Sequence, residues 1–211
     1  MWAYIEYTLG LILSSQRGRD AKLFHNCPAF SELRQPSLEV TSPECGPSNS
    51  ELSSHHGNEG GSKFPVLSWR PSESNVFAIA DVKEYLLIVE DPDAPLPNPI
   101  VHGVYYAIPA DTRRVDALSF DMAAEQDSND LKGGFKFGQN RMGNVYGGPK
   151  PVLGHGPHRY FYQVVALSER LNPDSFATKL PTIEELAKAV EGKVLAWGVW
   201  VGVFERKMWT R

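Results

Sequence analysis

Four side chains able to hold or pass a proton stand within three residues of a glycine or proline in this sequence: Asp91, His102, His158 and Tyr160. Asp91 belongs to Glu90-Asp91-Pro92-Asp93-Ala94-Pro95, between the apolar runs 85–89 and 101–108. Prolines fix their own φ and push the preceding residue out of the α region, so Asp91 and Ala94 are extended or turned. A carboxylate is thereby held at a strand end with little freedom. His158 and Tyr160 are two residues apart on a β-patterned run and project from one face. A carboxylate bonded to one imidazole nitrogen fixes the tautomer and favours the charged ring, leaving the other nitrogen to donate toward an oxyanion. Upstream runs Tyr146-Gly147-Gly148-Pro149-Lys150-Pro151. Gly148 would let backbone N–H groups approach a ligand, and the prolines would hold the loop open without an ordering cost at binding. Together these residues describe a small anion site. They would serve equally as satisfied core histidines beside a structural loop.

Other chemistries find less support. There is no GxSxG elbow, no GxxxxGK[ST] loop and no HExxH pair. Gly138 to Gly143 has the phosphate-loop glycine spacing, but Asn144 stands where the lysine belongs. Asp91, His102 and His158 could make a two-histidine, one-carboxylate iron set, but their spacing is unlike such a triad, and no metal or other cofactor is expected. Were the pocket catalytic, the same three would be its acid and base, acting on a carboxylated metabolite. Cys27 and Cys45 belong to no CxxC pair and sit beside no plausible histidine ligands, so both read as reduced thiols.

The elements that must position these groups are mostly strands. Tyr85 to Val89 is a continuous apolar run, short enough for a strand buried on both faces. Val101 to Ile108 and the alternating His158 to Leu167 continue the pattern, and Val194 to Phe204 reads as a long last strand. Shorter strands are expected at Leu38 to Thr41 and Phe64 to Trp69, and one or two within Val76 to Val89. Thr182-Ile183-Glu184-Glu185 is a capping box opening a helix with Ile183, Leu186, Ala187 and Val190 on its apolar face, and Gly192 can end it in the left-handed region. Trp2, Ile5, Leu9 and Ile12 recur at helical spacing, predicting a short helix whose apolar side packs on the body. Residues 14–36 read as an extended arm. Residues 42–62 form a polar, turn-rich segment in which His55 and His56 are solvated loop residues. Residues 111–144 are a long irregular insertion with at most a helical turn near Met122 to Gln126, and such insertions are more often functional than accidental.

With 211 residues, 42% hydrophobic and 22% charged, the chain is large enough for one domain with an ample core. A formal charge of −4 and a pI near 5.9 supply no basic surface for nucleic acid. Glu6 interrupts the apolar N-terminus, and Arg17 and Arg19 follow it rather than precede it, so a signal peptide fits poorly. No apolar run reaches the roughly 20 residues of a membrane span, and a cytoplasmic location is expected.

Asp91-Pro92-Asp93-Ala94-Pro95, then His102 leading to Ile108-Pro109, then Gly147-Gly148-Pro149 and Gly156-Pro157-His158-Arg159-Tyr160 resemble, in order, the motifs of the phosphatidylethanolamine-binding protein (PEBP) family, over residues 38–204. Glu90 to Pro95 with Val101-His102-Gly103-Val104-Tyr105-Tyr106 is closer to the fungal and bacterial-like branch than to the animal one. The resemblance implies a mainly β, single-domain Greek-key sandwich over 37–211 with a few peripheral helices. Residues 1–36, a helix and extended arm packed on that body, lie outside it. It implies a cavity for phosphate, phosphorylethanolamine or carboxylate groups lined by Asp91, His102, Gly148, Pro149, Pro151, His158 and Tyr160, with Asp93 and Arg159 bracing its loops. Family members mostly bind or regulate, acting on kinases or proteases, and some fungal members accompany small-molecule biosynthesis. A protease-inhibiting role through the N-terminal arm is a further expectation. Animal members carry a helix beside the cavity after the last strand. This chain ends at Arg211, so that gate is expected to be missing. Ile100 stands where many relatives carry an aromatic at the rim, so headgroup preference is expected to differ.

Overall fold

Strand β4 (Glu84–Asp91) is buried along its whole length, and the rest of the chain is laid against its two faces. The computed structural model describes residues 2–73, 77–123 and 128–208. In chain order its elements are α1 (Trp2–Leu13), β1 (Leu38–Thr41), β2 (Ser50–Glu51), β3 (Leu67–Pro71), β4, β5 (Ile100–Pro109), β6 (Arg114–Val115), β7 (Lys136–Phe137), β8 (His158–Leu167), α2 (Ile183–Ala189) and β9 (Val194–Phe204). A six-stranded sheet runs β2-β9-β8-β4-β5-β7, and a three-stranded sheet β1-β3-β6. Only the β2–β9 pairing is parallel among the described strands.

Alternation along β4 explains the layering. Tyr85, Leu87 and Val89 enter a core shared with Leu38 and Val40 of β1, Leu67 and Trp69 of β3, and Tyr162 and Trp200. Leu86 and Ile88 enter a second core with Val104, Tyr106, Val165 and Leu167. There the cover comes from Phe24 and Phe30 of the arm and from Leu186 and Val190 at α2, so 14–36 is half of that layer rather than an appendage. Each buried phenylalanine side chain contributes roughly 1.5–3 kcal/mol. Short 3-10 turns at 20–22, 24–26 and 28–30 fold the arm so that both rings face inward. At α2 the expected box forms: Glu185 N donates to Thr182 Oγ1 at 3.2 Å, and Thr182 N to Glu185 Oε2 at 2.8 Å.

Helix α1 forms where the spacing places it but turned the other way. Trp2 and Ile12 of the apolar stripe are 84% and 69% exposed, whereas Gly10 is buried. The cause is close approach. A Cβ on Gly10 would lie 1.9 Å from the Leu153 carbonyl oxygen, so only a glycine face lets the helix lie on the 151–156 loop. Glu6, on that same face, accepts from Leu153 N and pairs with Arg206. The strand expected at Phe64 to Trp69 begins at Leu67, because Phe64 is consumed in the aromatic core against Phe120 and Tyr146. The 111–144 segment holds β6, β7 and a 3-10 turn over Ala117–Phe120 capped by Asp116. In the helical turn expected at 122–126, Met122 instead bridges Leu131, and 124–126 lie outside the described residues. Val76 of the 76–89 run lies outside them too. His55 is exposed as expected, but His56 is buried. Among the described residues, no helix is long and apolar enough to cross a membrane.

Candidate functional site

Antiparallel pairing gathers the site. Strand β4 lies between β5 and β8, both running against it, so the last residues of β4 meet the first residues of its neighbours: Asp91 pairs with Ile100, and Glu90 with Phe161. Asp91, His102, His158 and Tyr160, scattered over seventy residues, therefore meet at one end of one sheet.

The two histidines are held differently. His102 Nδ1 donates to the Gly147 carbonyl through a short hydrogen bond, which leaves the Nε2 lone pair unclaimed. Of the four buried side-chain polar atoms without a partner among the described residues, two are His102 Nε2 and Tyr160 OH. Their rings touch edge to face, with centroids 5.1 Å apart and planes at 76°. A buried polar group left unpaired costs about 1–3 kcal/mol, so two on contacting rings mark a place that a hydrogen-bonding guest would repair. Burial holds the His102 imidazole below its usual range, against the opposing pull of Asp91. Burial, then the Asp91 charge, lifts the Tyr160 phenol well above its usual range. At neutral pH this corner thus offers one lone pair and one hydroxyl donor, with no charge on either ring.

His158, by contrast, is bonded at both ring nitrogens. Nδ1 meets Asp91 Oδ2 at 2.8 Å and Nε2 meets His155 Nδ1 at 2.8 Å, while His155 Nε2 donates to the Leu13 carbonyl at 2.9 Å. Acceptors close both ends of this run, the Asp91 carboxylate at one and the Leu13 carbonyl at the other. Asp91 Oδ1 accepts from Asp93 N at 2.8 Å, which uses its second oxygen. Arg17 adds contacts to His155 Nδ1 at 3.3 Å and to its carbonyl oxygen. Burial, then the charges of His158 and Arg17, keeps His155 below its usual range.

The sequence places His158 among the groups that contact a ligand, but its geometry makes it an interior link with neither nitrogen free. The expected N–H groups of the glycine loop are also taken. Gly147 N donates to the His102 carbonyl at 2.9 Å, and Gly148 N to Ser62 Oγ at 3.2 Å. Gly148 is required for another reason: a Cβ there would lie 2.6 Å from the His56 carbonyl oxygen. Pro149 and Pro151 are buried in the same loop, accepting from Asn58 N and Arg206 Nη1. Asp93 and Arg159 do face each other, with Arg159 Nη2 2.7 Å from Asp93 Oδ1 and a second branch to Asp20 of the arm. The residues that sequence reading missed are His155, Arg17 and Asn140, whose Nδ2 donates to the His102 carbonyl at 2.9 Å. Gly154-His155-Gly156 carried a usable signal, a histidine three residues before another between glycines. Arg17 carried none, because only the fold brings the arm to this loop.

A cavity of about 290 Å³ opens elsewhere, between the arm at 21–27, the 98–101 turn and α2. It lies across β4 from the His102 corner, and Glu90 reaches its wall.

The sequence model of the family described as "Phosphatidylethanolamine-binding protein" matches residues 42–205. Phomoidride biosynthesis cluster protein B of a fungal species is 40% identical over 208 residues, covering 98% of this chain and 96% of its own. The protein of the same name from Talaromyces stipitatus is 41% identical over 206 residues, covering 96% of this chain and 82% of its own. Both alignments take in most of the N-terminal arm, which the family match leaves out. Among solved structures, Escherichia coli YbcL, described as a member of the mammalian PEBP family, superposes with a TM-score of 0.63 at 24% identity over 81% of this chain and 99% of its own, a likeness of fold.

Proposed function

This chain belongs to the phosphatidylethanolamine-binding protein family, and from that premise we propose that it binds a small anion, phosphate-like or carboxylate, as a non-enzymatic partner of other proteins. The observation that carries the reading is the pair of buried, unpartnered atoms His102 Nε2 and Tyr160 OH on contacting rings. A lone pair beside a hydroxyl donor complements an HO–X=O group, a carboxylic acid or a hydrogen phosphate, which offers a proton on one oxygen and a lone pair on the next. An anion arriving without its proton is matched once His102 takes one up. Asp91 and His158 then act as a frame that fixes the Tyr160 strand rather than as ligand contacts.

The names of the two fungal relatives favour an accessory role in small-molecule biosynthesis over regulation of a kinase or protease, and in that role the ligand we propose is a carboxylated metabolite. Acid–base catalysis by Asp91 and His158 is disfavoured, because neither presents a free atom; His102 is left as the one open base of the set. Isothermal titration with inorganic phosphate, phosphorylethanolamine and succinate tests the reading and separates the ligand classes. Saturable binding to at least one, weakened about tenfold in Tyr160→Phe, is expected for the loss of one hydrogen bond. No binding to any of the three, or binding that Tyr160→Phe leaves unchanged, overturns it.

A further inference from the structure

We propose that Glu44, Cys45, His55 and His56 form a zinc site behind the glycine-proline loop. Chain separation hides the set, because the cysteine and the histidines lie ten residues apart in a polar, turn-rich stretch. In the fold, a Glu44 carboxylate oxygen and one ring nitrogen each of His55 and His56 lie within 4.8 Å of one another. Cys45 Sγ is 3.5 Å from His56 Nε2 but lies outside that 4.8 Å group, so it completes the set only when its side chain turns toward the ion. A tetrahedral zinc with Zn–S of about 2.3 Å and Zn–N of about 2.0 Å sets sulfur and nitrogen ligands about 3.5 Å apart. His56 is also oriented as a ligand: its Nδ1 donates to the Lys63 carbonyl at 2.8 Å, which fixes the tautomer and aims the Nε2 lone pair at the cluster. His55 Nε2 is bonded to Ser53 Oγ at 2.8 Å, so Nδ1 is the lone pair on offer when that hydroxyl accepts.

Two imidazoles, one carboxylate and one thiolate are a borderline-soft donor set that suits zinc. The Lys63 ammonium now pairs with the Glu44 carboxylate and would swing toward solvent, being 45% exposed. With Cys45 turned in, four protein ligands would leave no open position, so the ion would be structural. Its target is visible in the contacts: Asn58 N donates to the Pro149 carbonyl at 2.8 Å, and Ser62 Oγ holds Gly148 N. Zinc would tie the 44–63 segment to the loop whose Gly147 carbonyl orients His102.

The test uses the full chain stripped of metal by a chelator, first titrated with Zn²⁺ against a chromophoric competitor and then loaded with Co²⁺. One Zn²⁺ per chain at a Kd of about 1 µM or below is expected, together with a tetrahedral cobalt spectrum carrying a thiolate charge-transfer band. Cys45→Ser removes that band and weakens Zn²⁺ about 10–100-fold. His55→Ala, at an exposed position, weakens Zn²⁺ with the fold intact by circular dichroism, and Cys27→Ser changes nothing. Failure of the wild-type chain to take up one Zn²⁺, or an octahedral cobalt spectrum that Cys45→Ser leaves unaltered, overturns the proposal. Neither readout depends on whether the His102 corner takes an anion.

Discussion

His102 and His158 open adjacent stretches of the same sheet end, and both are buried, yet one has a nitrogen without a partner and the other has none. The closed histidine belongs to a run in which Asp91, His155, Arg17 and the end of α1 satisfy one another. The open one faces a tyrosine that is open too. Buried polar atoms are paired almost without exception, so an unpaired pair beside a fully paired set separates a place kept for something else from its scaffold. Chemical type does not make this distinction. Both are buried imidazoles, and both lie close to Asp91.

The comparison breaks most sharply at Asp91. Asp91→Ala leaves the His158 Nδ1 proton buried with no acceptor and frees Asp93 N, so unfolding by denaturant should show a loss of about 3–5 kcal/mol. A loss below about 1 kcal/mol would mean that the closed run is no scaffold. Next in size is Glu90, the neighbour of Asp91 on the opposite face of β4. Its Oε2 accepts from Phe24 N at 2.7 Å and Gln163 Nε2 at 2.8 Å, with no salt bridge among the described residues, and burial pushes its pKa up to about 7. A folded-state pKa above the unfolded 4.5 means that the native chain binds the extra proton. The contribution is complete below pH 4.5 and fades as pH rises through 7. Glu90→Gln should remove that fall, worth at most about 3 kcal/mol. Unfolding curves at pH 5 and 8 that shift equally in wild type and variant would refute the assignment.

Tyr160→Phe inverts the pattern of Asp91→Ala. Deleting a buried hydroxyl that makes no well-formed hydrogen bond, with only the Lys150 backbone bearing on it, should change anion-free stability by less than about 1 kcal/mol, while anion affinity drops. If both variants lost stability alike, the open and closed halves would be one structure and the site reading would fail.

The strands that build this end were legible because their signal is local. An apolar run such as 85–89 reads as doubly buried, and prolines pin the Asp91 corner. The meeting of Asp91, His102, His158 and Tyr160 was legible through motif order. What stayed hidden depends on contacts that no local pattern encodes. The outward turn of α1 follows from a single glycine meeting Leu153, and hydrophobic spacing alone points its stripe inward. Which of two histidines keeps a free nitrogen depends on His155 and on the carbonyls of Leu13 and Gly147. Backbone acceptors leave no mark on side-chain composition, so the sequence treats the two rings alike. The role expected of Gly148 was hidden for the same reason, since the loop's N–H groups are spent on partners distant in the chain.

The finest test separates the two histidines by proton. His102 is held neutral by burial, and an anion beside Nε2 would favour its charged form, so binding should draw in a proton. Its folded-state pKa lies below the unfolded 6.5, so in the free protein its neutrality weakens stability only as pH falls beneath 6.5, when the unfolded chain takes the proton first. Anion affinity should therefore climb as pH falls, by up to tenfold per unit between the bound and free pKa values of His102. Titrations with succinate in buffers of different ionisation heat should report close to one proton taken up per anion. His102→Gln, which keeps a hydrogen-bonding side chain but cannot titrate, should flatten the profile without the large stability loss of Asp91→Ala. His155, bonded at both nitrogens, should contribute no slope. Proton uptake that survives His102→Gln would place the titrating group elsewhere and refute the assignment to His102.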